Sequence, residues 1–118
     1  MPTPHKQVHG VSAEAVNGDV DKTVIAAQGA GTKLKIRSGV IAINVAANDT
    51  GGVASLEDGA GGSKLLTVNA GAIGNIHFDF GDDGPILSDN TLLNLTVEGA
   101  GTTQATAQAT VTAKVLGA

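Results

Sequence analysis

Apolar and polar residues alternate at period two along most of the chain, and the alternating runs are bounded by Gly, Asn and Asp clusters. That pattern predicts strands near 8–14, 22–28, 32–37, 40–46, 53–57, 64–69, 75–80, 91–98 and 104–116. The clearest run is "ATAQATVTAKV", which sends Ala105, Ala107, Ala109, Val111, Ala113 and Val115 to one face and Thr106, Gln108, Thr110, Thr112 and Lys114 to the other. In "NIHFDF" the larger Ile76, Phe78 and Phe80 share a face and are expected to form the thick part of the core, opposite His77 and Asp79. "TLLNLTVEG" places Leu93, Leu95 and Val97 inward. Apolar residues fall at helical spacing only in "SAEAV", a single turn long. The predicted fold is all-β: one antiparallel β-sandwich, of jelly-roll type, over residues 20–118.

The phrases "GAGTK" at Gly29, "GAGGSK" at Gly59 and "GAGTT" at Gly99 each fall between two strand-like runs and read as hairpin loops. Their flanking strands match poorly, which argues against an internal duplication. Residues 1–19 differ from the rest, with two of the three prolines and two of the three histidines in "MPTPHKQVH" and a turn signal at Asn17-Gly18. They are assigned to an extended N-terminal arm suited to lying on a partner.

Composition sharpens this picture. The 118 residues suffice for one domain. Phe78 and Phe80 are the sole aromatic residues, so the core must be assembled from Ala, Val, Leu and Ile. The absence of Cys removes disulfide and thiolate chemistry. There is neither an apolar signal-peptide region nor an apolar run of membrane-spanning length, so the chain is expected to be soluble and away from membranes.

Candidate chemistry is sparse. The Gly-rich loops lack the Walker spacing and lead into strands rather than helices, so they are read as turns. "FDFGDDGP" gathers Asp79, Asp82 and Asp83 but lacks the alternate ligand spacing and closing acid of a calcium loop. No metal ligand or cofactor is therefore assigned. His77 and Asp79 share a strand face, yet none of the five serines lies in a G-x-S-x-G turn, so no catalytic residue is assigned and the protein is read as a non-enzyme. A formal net charge of −4 without Trp or Tyr disfavours nucleic acid and also sugar-ring stacking.

One feature stands out against that acidic background: Lys33, Lys35 and Arg37 at alternate positions. They either solvate an outer strand face and protect a sheet edge, or meet an acidic patch on a partner. With His5, Lys6 and His9 of the arm, they are the candidate partner-binding residues, and Arg37, the sole Arg, is the first choice of anchor.

The order of "TVIAAQGAGTKLKIRSGVIAI" (Thr23 to Ile43), "HFDFGDDGPILSDNTLLNLTVEG" (His77 to Gly99) and the closing "TAQATVTAKV" resembles the small jelly-roll or β-sandwich proteins that decorate or cement the heads of tailed bacteriophages. That resemblance implies a structural protein on the capsid exterior, soluble in the host cytoplasm before assembly. It further implies trimers that bridge adjacent subunits of the major capsid protein. The alternative is a receptor- or glycan-binding module of a phage fibre or bacterial surface protein.

Overall fold

The computed structural model describes residues 6–16, 21–46, 52–98 and 105–117, and these fold into two antiparallel sheets packed face to face as a β-sandwich. The strands are β1 (Gln7–Val11), β2 (Ala15–Val16), β3 (Lys22–Ile25), β4 (Thr32–Val45), β5 (Val53–Asp58), β6 (Lys64–Asn69), β7 (Gly74–Asp79), β8 (Leu93–Glu98) and β9 (Thr106–Gly117). One sheet has the order β1-β9-β4-β7, with β2 also on β9, and the other has the order β3-β8-β5-β6.

β1 and β2 act as one interrupted strand. Where pairing stops between them, the Ser12 amide donates to the Ala109 carbonyl (2.8 Å), and Ser12 Oγ accepts from the Ala109 amide (3.0 Å). Buried Ser12 thereby satisfies backbone groups that the break would leave unpaired. With β1 and β2 counted together, pairing is nested: the first strand joins the last (β9), β3 joins β8, β4 joins β7, and β5 joins β6 at the centre of the chain. The β4–β9 and β5–β8 pairings then complete the two sheets.

The buried apolar residues come from alternate positions of both sheets, as a half-solvated antiparallel sheet requires. Leu34, Ile36, Ile41 and Ile43 of β4 face Leu56 of β5 and Leu93, Leu95 and Val97 of β8, with Leu87 from a connecting segment. The inward Ala105, Ala107, Ala109, Val111 and Ala113 of the β9 run are fully buried, as their alternation predicted. Phe78 and Phe80 are not the centre of this core. They lie half-buried at its β7 edge, ring centroids 5.6 Å apart, because β7 is an outer strand with a partner on one side alone.

Two further expectations need correction. The predicted strands 32–37 and 40–46 are one fourteen-residue strand, β4, with an irregularity in its pairing to β9 between Ile36 and Ser38. Ser38-Gly39 looks like turn chemistry, but Gly39 serves close packing. A Cβ there would overlap the Thr110 carbonyl oxygen and lie 2.7 Å from Phe78 Cζ. Of the three Gly-rich "hairpins", the one at Gly59 does join paired strands, β5 and β6. The one at Gly29 instead carries the chain from one sheet to the other, and the one at Gly99 lies outside the described residues.

The residues assigned to an N-terminal arm divide in the same way. Residues 7–11 and 15–16 are strands of the first sheet, and Ala15 is fully buried. Residues 1–5 and 17–19 lie outside the described residues.

Candidate docking face

The outer face of the first sheet gathers His9, Lys33, Lys35, His77 and Asp79. The strand register fixes how they meet, since directly opposed residues share a face. One row runs Gln7, Lys114, Lys35 across β1, β9 and β4 and continues to Ile86, which forms an isolated bridge with Lys35. The segment after Pro85 lies along the free edge of β4. There the Ile36 amide donates to the Pro85 carbonyl (2.9 Å) and the Leu87 amide to the Leu34 carbonyl (2.8 Å). Below this row, Lys33 stands opposite Leu116.

The adjoining rows are His9, Thr112, Ser38, Asp79 and then Val11, Thr110, Val40, His77. Their small, β-branched centre lies between two edge strands bearing imidazoles, so the surface forms a shallow open trough lined by His9, Ser38, Val40, His77, Asp79 and Thr112. His9 is exposed, with Nδ1 3.1 Å from Thr112 Oγ1. Ser38, His77 and Asp79 converge here, a meeting that the sequence did not disclose. Among the described residues no hydrogen bond joins any two of them, and Asp79 Oδ1 accepts the Gly81 amide (2.8 Å).

The three cations of the ladder have unequal environments. Lys33 is exposed and Lys35 half-exposed on the outer face, with Leu34 and Ile36 buried between and beyond them. Arg37 sits at the irregularity. Its carbonyl accepts the Phe80 amide (2.7 Å), and its guanidinium lies 3.5 Å from Asp82 Oδ1. Arg37 thus clips the acidic turn "FGDDG" to β4, and is engaged within its own chain. Asp82 is 76% exposed, so this ion pair adds little stability.

In the sequence, Lys114 is one polar residue of an alternating strand. The structure puts it beside Lys35, where opposed residues have Cβ atoms about 5 Å apart. Among the described residues, no carboxylate lies within ion-pair distance of Lys33, Lys35 or Lys114. Of the remaining candidates, Lys6 is exposed at the entry to β1, where its carbonyl accepts the Val115 amide (2.7 Å), and His5 lies outside the described residues.

The opposite sheet has a different outer surface. Glu57, 5% exposed, accepts from Asn94 Nδ2 through Oε1 (2.9 Å), and its Oε2 lies 3.6 Å from Lys64 Nζ. Lys64 also reaches Glu98 at 3.3 Å, and Asn94 Nδ2 donates to Asp21 at 2.9 Å. Charges here are matched within the chain, whereas among the described residues the Lys35–Lys114 row has no such match. Compared with known proteins, the chain matches no family model, and no curated protein is significantly similar to it. Among the described residues no helix is long and apolar enough to cross a membrane.

Proposed function

We propose that the protein is a structural component of a virion, decorating the capsid exterior of a tailed phage and bridging adjacent capsid subunits, most economically as a trimer. The observation that carries this reading is the nested strand order. With β1 and β2 counted as one, the described strands pair first with last and inward to a central hairpin, four to each layer, and so favour a jelly roll. A jelly roll or related β-sandwich is what the resemblance of the sequence to phage decoration proteins implies. An outer sheet face whose lysines have no ion-pair partner among the described residues supports a role in docking, and repeated weak contacts in a symmetric oligomer would gain avidity.

The test is protein mass spectrometry of phage particles purified from the strain that carries the gene. The expected result is the protein in constant ratio to the major capsid protein, lost on removal of the capsid shell. Absence from particles, or recovery with tail fibres, would reject the reading.

A second reading, a module that binds a receptor or glycan, has one observation in its favour. The trough brings His9, Ser38, His77, Asp79 and Thr112 into one concavity of hydrogen-bonding groups. Binding on a glycan array that is lost in the His77→Ala variant would favour that alternative.

A further inference from the structure

We infer that Lys33, Lys35 and Lys114, with the half-exposed Ile86 and Leu116 at the margins, form a receptor for carboxylates spaced along an extended acidic segment of a partner protein, and that Arg37 takes no part. This rests on the docking reading above for the partner's being a protein, and it names the surface and the chemistry.

The first support is an electrostatic imbalance. Lys35 and Lys114 are directly opposed in adjacent strands, an arrangement that is unfavourable in the isolated chain. Like charges side by side are relieved when an anion binds between them. In a protein of formal net charge −4, carboxylates to neutralise the pair are plentiful, yet most of the described ones have partners elsewhere. Glu57 and Glu98 meet Lys64, Asp82 meets Arg37, Asp58 accepts from the Ser88 amide and hydroxyl, and Asp79 accepts from the Gly81 amide. Glu14 accepts from Asn44, Asp21 from Asn94 and Asp89 from the Gly31 amide, which leaves Asp83 as the one described carboxylate without such a partner. A second copy of this chain therefore offers a single uncommitted acid rather than a spaced run among the described residues, and the complementary charge is assigned to a different protein.

The second support is spacing. Lys33 and Lys35 are alternate residues of one strand, about 7 Å apart, and Lys114 is one strand spacing away from Lys35. Alternate side chains of an extended partner segment repeat at that same interval, so successive carboxylates can meet successive ammonium groups. Ile86 is 50% exposed at the end of the Lys35 row and offers an apolar contact that a phosphate backbone would not use. Three lysines without stacking aromatics give nucleic acid a weak footing. Arg37 is excluded because it falls at the pairing irregularity, with no opposed residue on β9, and so stands outside the lysine rows.

The test uses the full chain and a fluorescein-labelled peptide of alternating Glu and Thr, with polarisation read at low and at physiological salt. The expected result is saturable, salt-weakened binding that falls about tenfold in the Lys35→Gln, Lys114→Gln double variant and changes less than about twofold in Arg37→Gln. Lys114→Glu, which supplies Lys35 with an opposite charge, should abolish binding while the melting temperature holds or rises. No binding by the unmodified chain, an equal loss in Arg37→Gln, retained binding in Lys114→Glu, or stronger competition by duplex DNA than by unlabelled peptide would each overturn the inference. The particle analysis is independent: failure of the peptide with the protein present on capsids removes this site alone, and the converse removes the virion reading alone.

Discussion

At the scale of single residues, three side-chain environments dictate measurable outcomes. Gly39 is held between the Thr110 carbonyl and the Phe78 ring, so Gly39→Ala must displace backbone or ring. A loss of about 1–3 kcal/mol is expected in urea unfolding. Thr106 Oγ1 is buried without a hydrogen-bond partner among the described protein atoms. Thr106→Val keeps the β-branched shape and removes that polar atom, so stability should rise by about 1 kcal/mol. Lys114→Glu should stabilise the isolated protein by about 0.2–1 kcal/mol through a cross-strand pair with Lys35, with the gain shrinking in high salt. A residue whose replacement improves folding while removing binding is kept for something other than stability.

At the scale of elements, β8 illustrates how a central strand can have a polar outer side and still be buried. Leu93, Leu95 and Val97 face the core, and Asn94 on the other side ties Glu57 to Asp21. Glu57→Ala would free Lys64 from one of its two acids and strip Asn94 of an acceptor at a site that water barely reaches. A cost of about 1–3 kcal/mol is expected by thermal or urea melts, far above that of Glu98→Ala, whose carboxylate is exposed. Elements also mark where the sequence could be read. The Ala/Thr alternation of β9 was legible because its two faces meet opposite environments, and Leu93, Leu95 and Val97 were legible for the same reason. Ser38-Gly39 misled because the chemistry of a turn and that of close packing are identical when only residue names are seen. Lys33 and Lys35 stood out as neighbours on one strand. Lys114, which completes their row, is brought there by a pairing between the two ends of the sandwich, and no local pattern encodes that register.

At the scale of the whole molecule, the edge strands control how the protein meets others. β1 shields one edge of β9, so deleting residues 1–9 would remove Gln7, Val8 and His9 from the sheet and leave backbone groups of Thr112, Ala113 and Lys114 unpaired. The expected outcome is a lower melting temperature with concentration-dependent association, measured by calorimetry and light scattering, rather than a simple loss of docking. Part of the segment assigned to the arm is sheet, in line with the strand expected near residues 8–14. For the native chain, light scattering should return a discrete trimer if the decoration reading holds. A monomer would restrict assembly to the capsid surface.

The nested pairing also sets a schedule for biosynthesis. β9 lies between β1 and β4 yet is the last strand in the chain, so the first sheet remains split until residues 106–117 have left the ribosome. Strands made early must wait with an unfilled gap, and contacts this distant in sequence form slowly, in roughly milliseconds to seconds for β-rich domains. The first sheet therefore cannot close before β9 has emerged, and a nascent chain stalled before Thr106 would display β1 and β4 as open edges available to any passing strand.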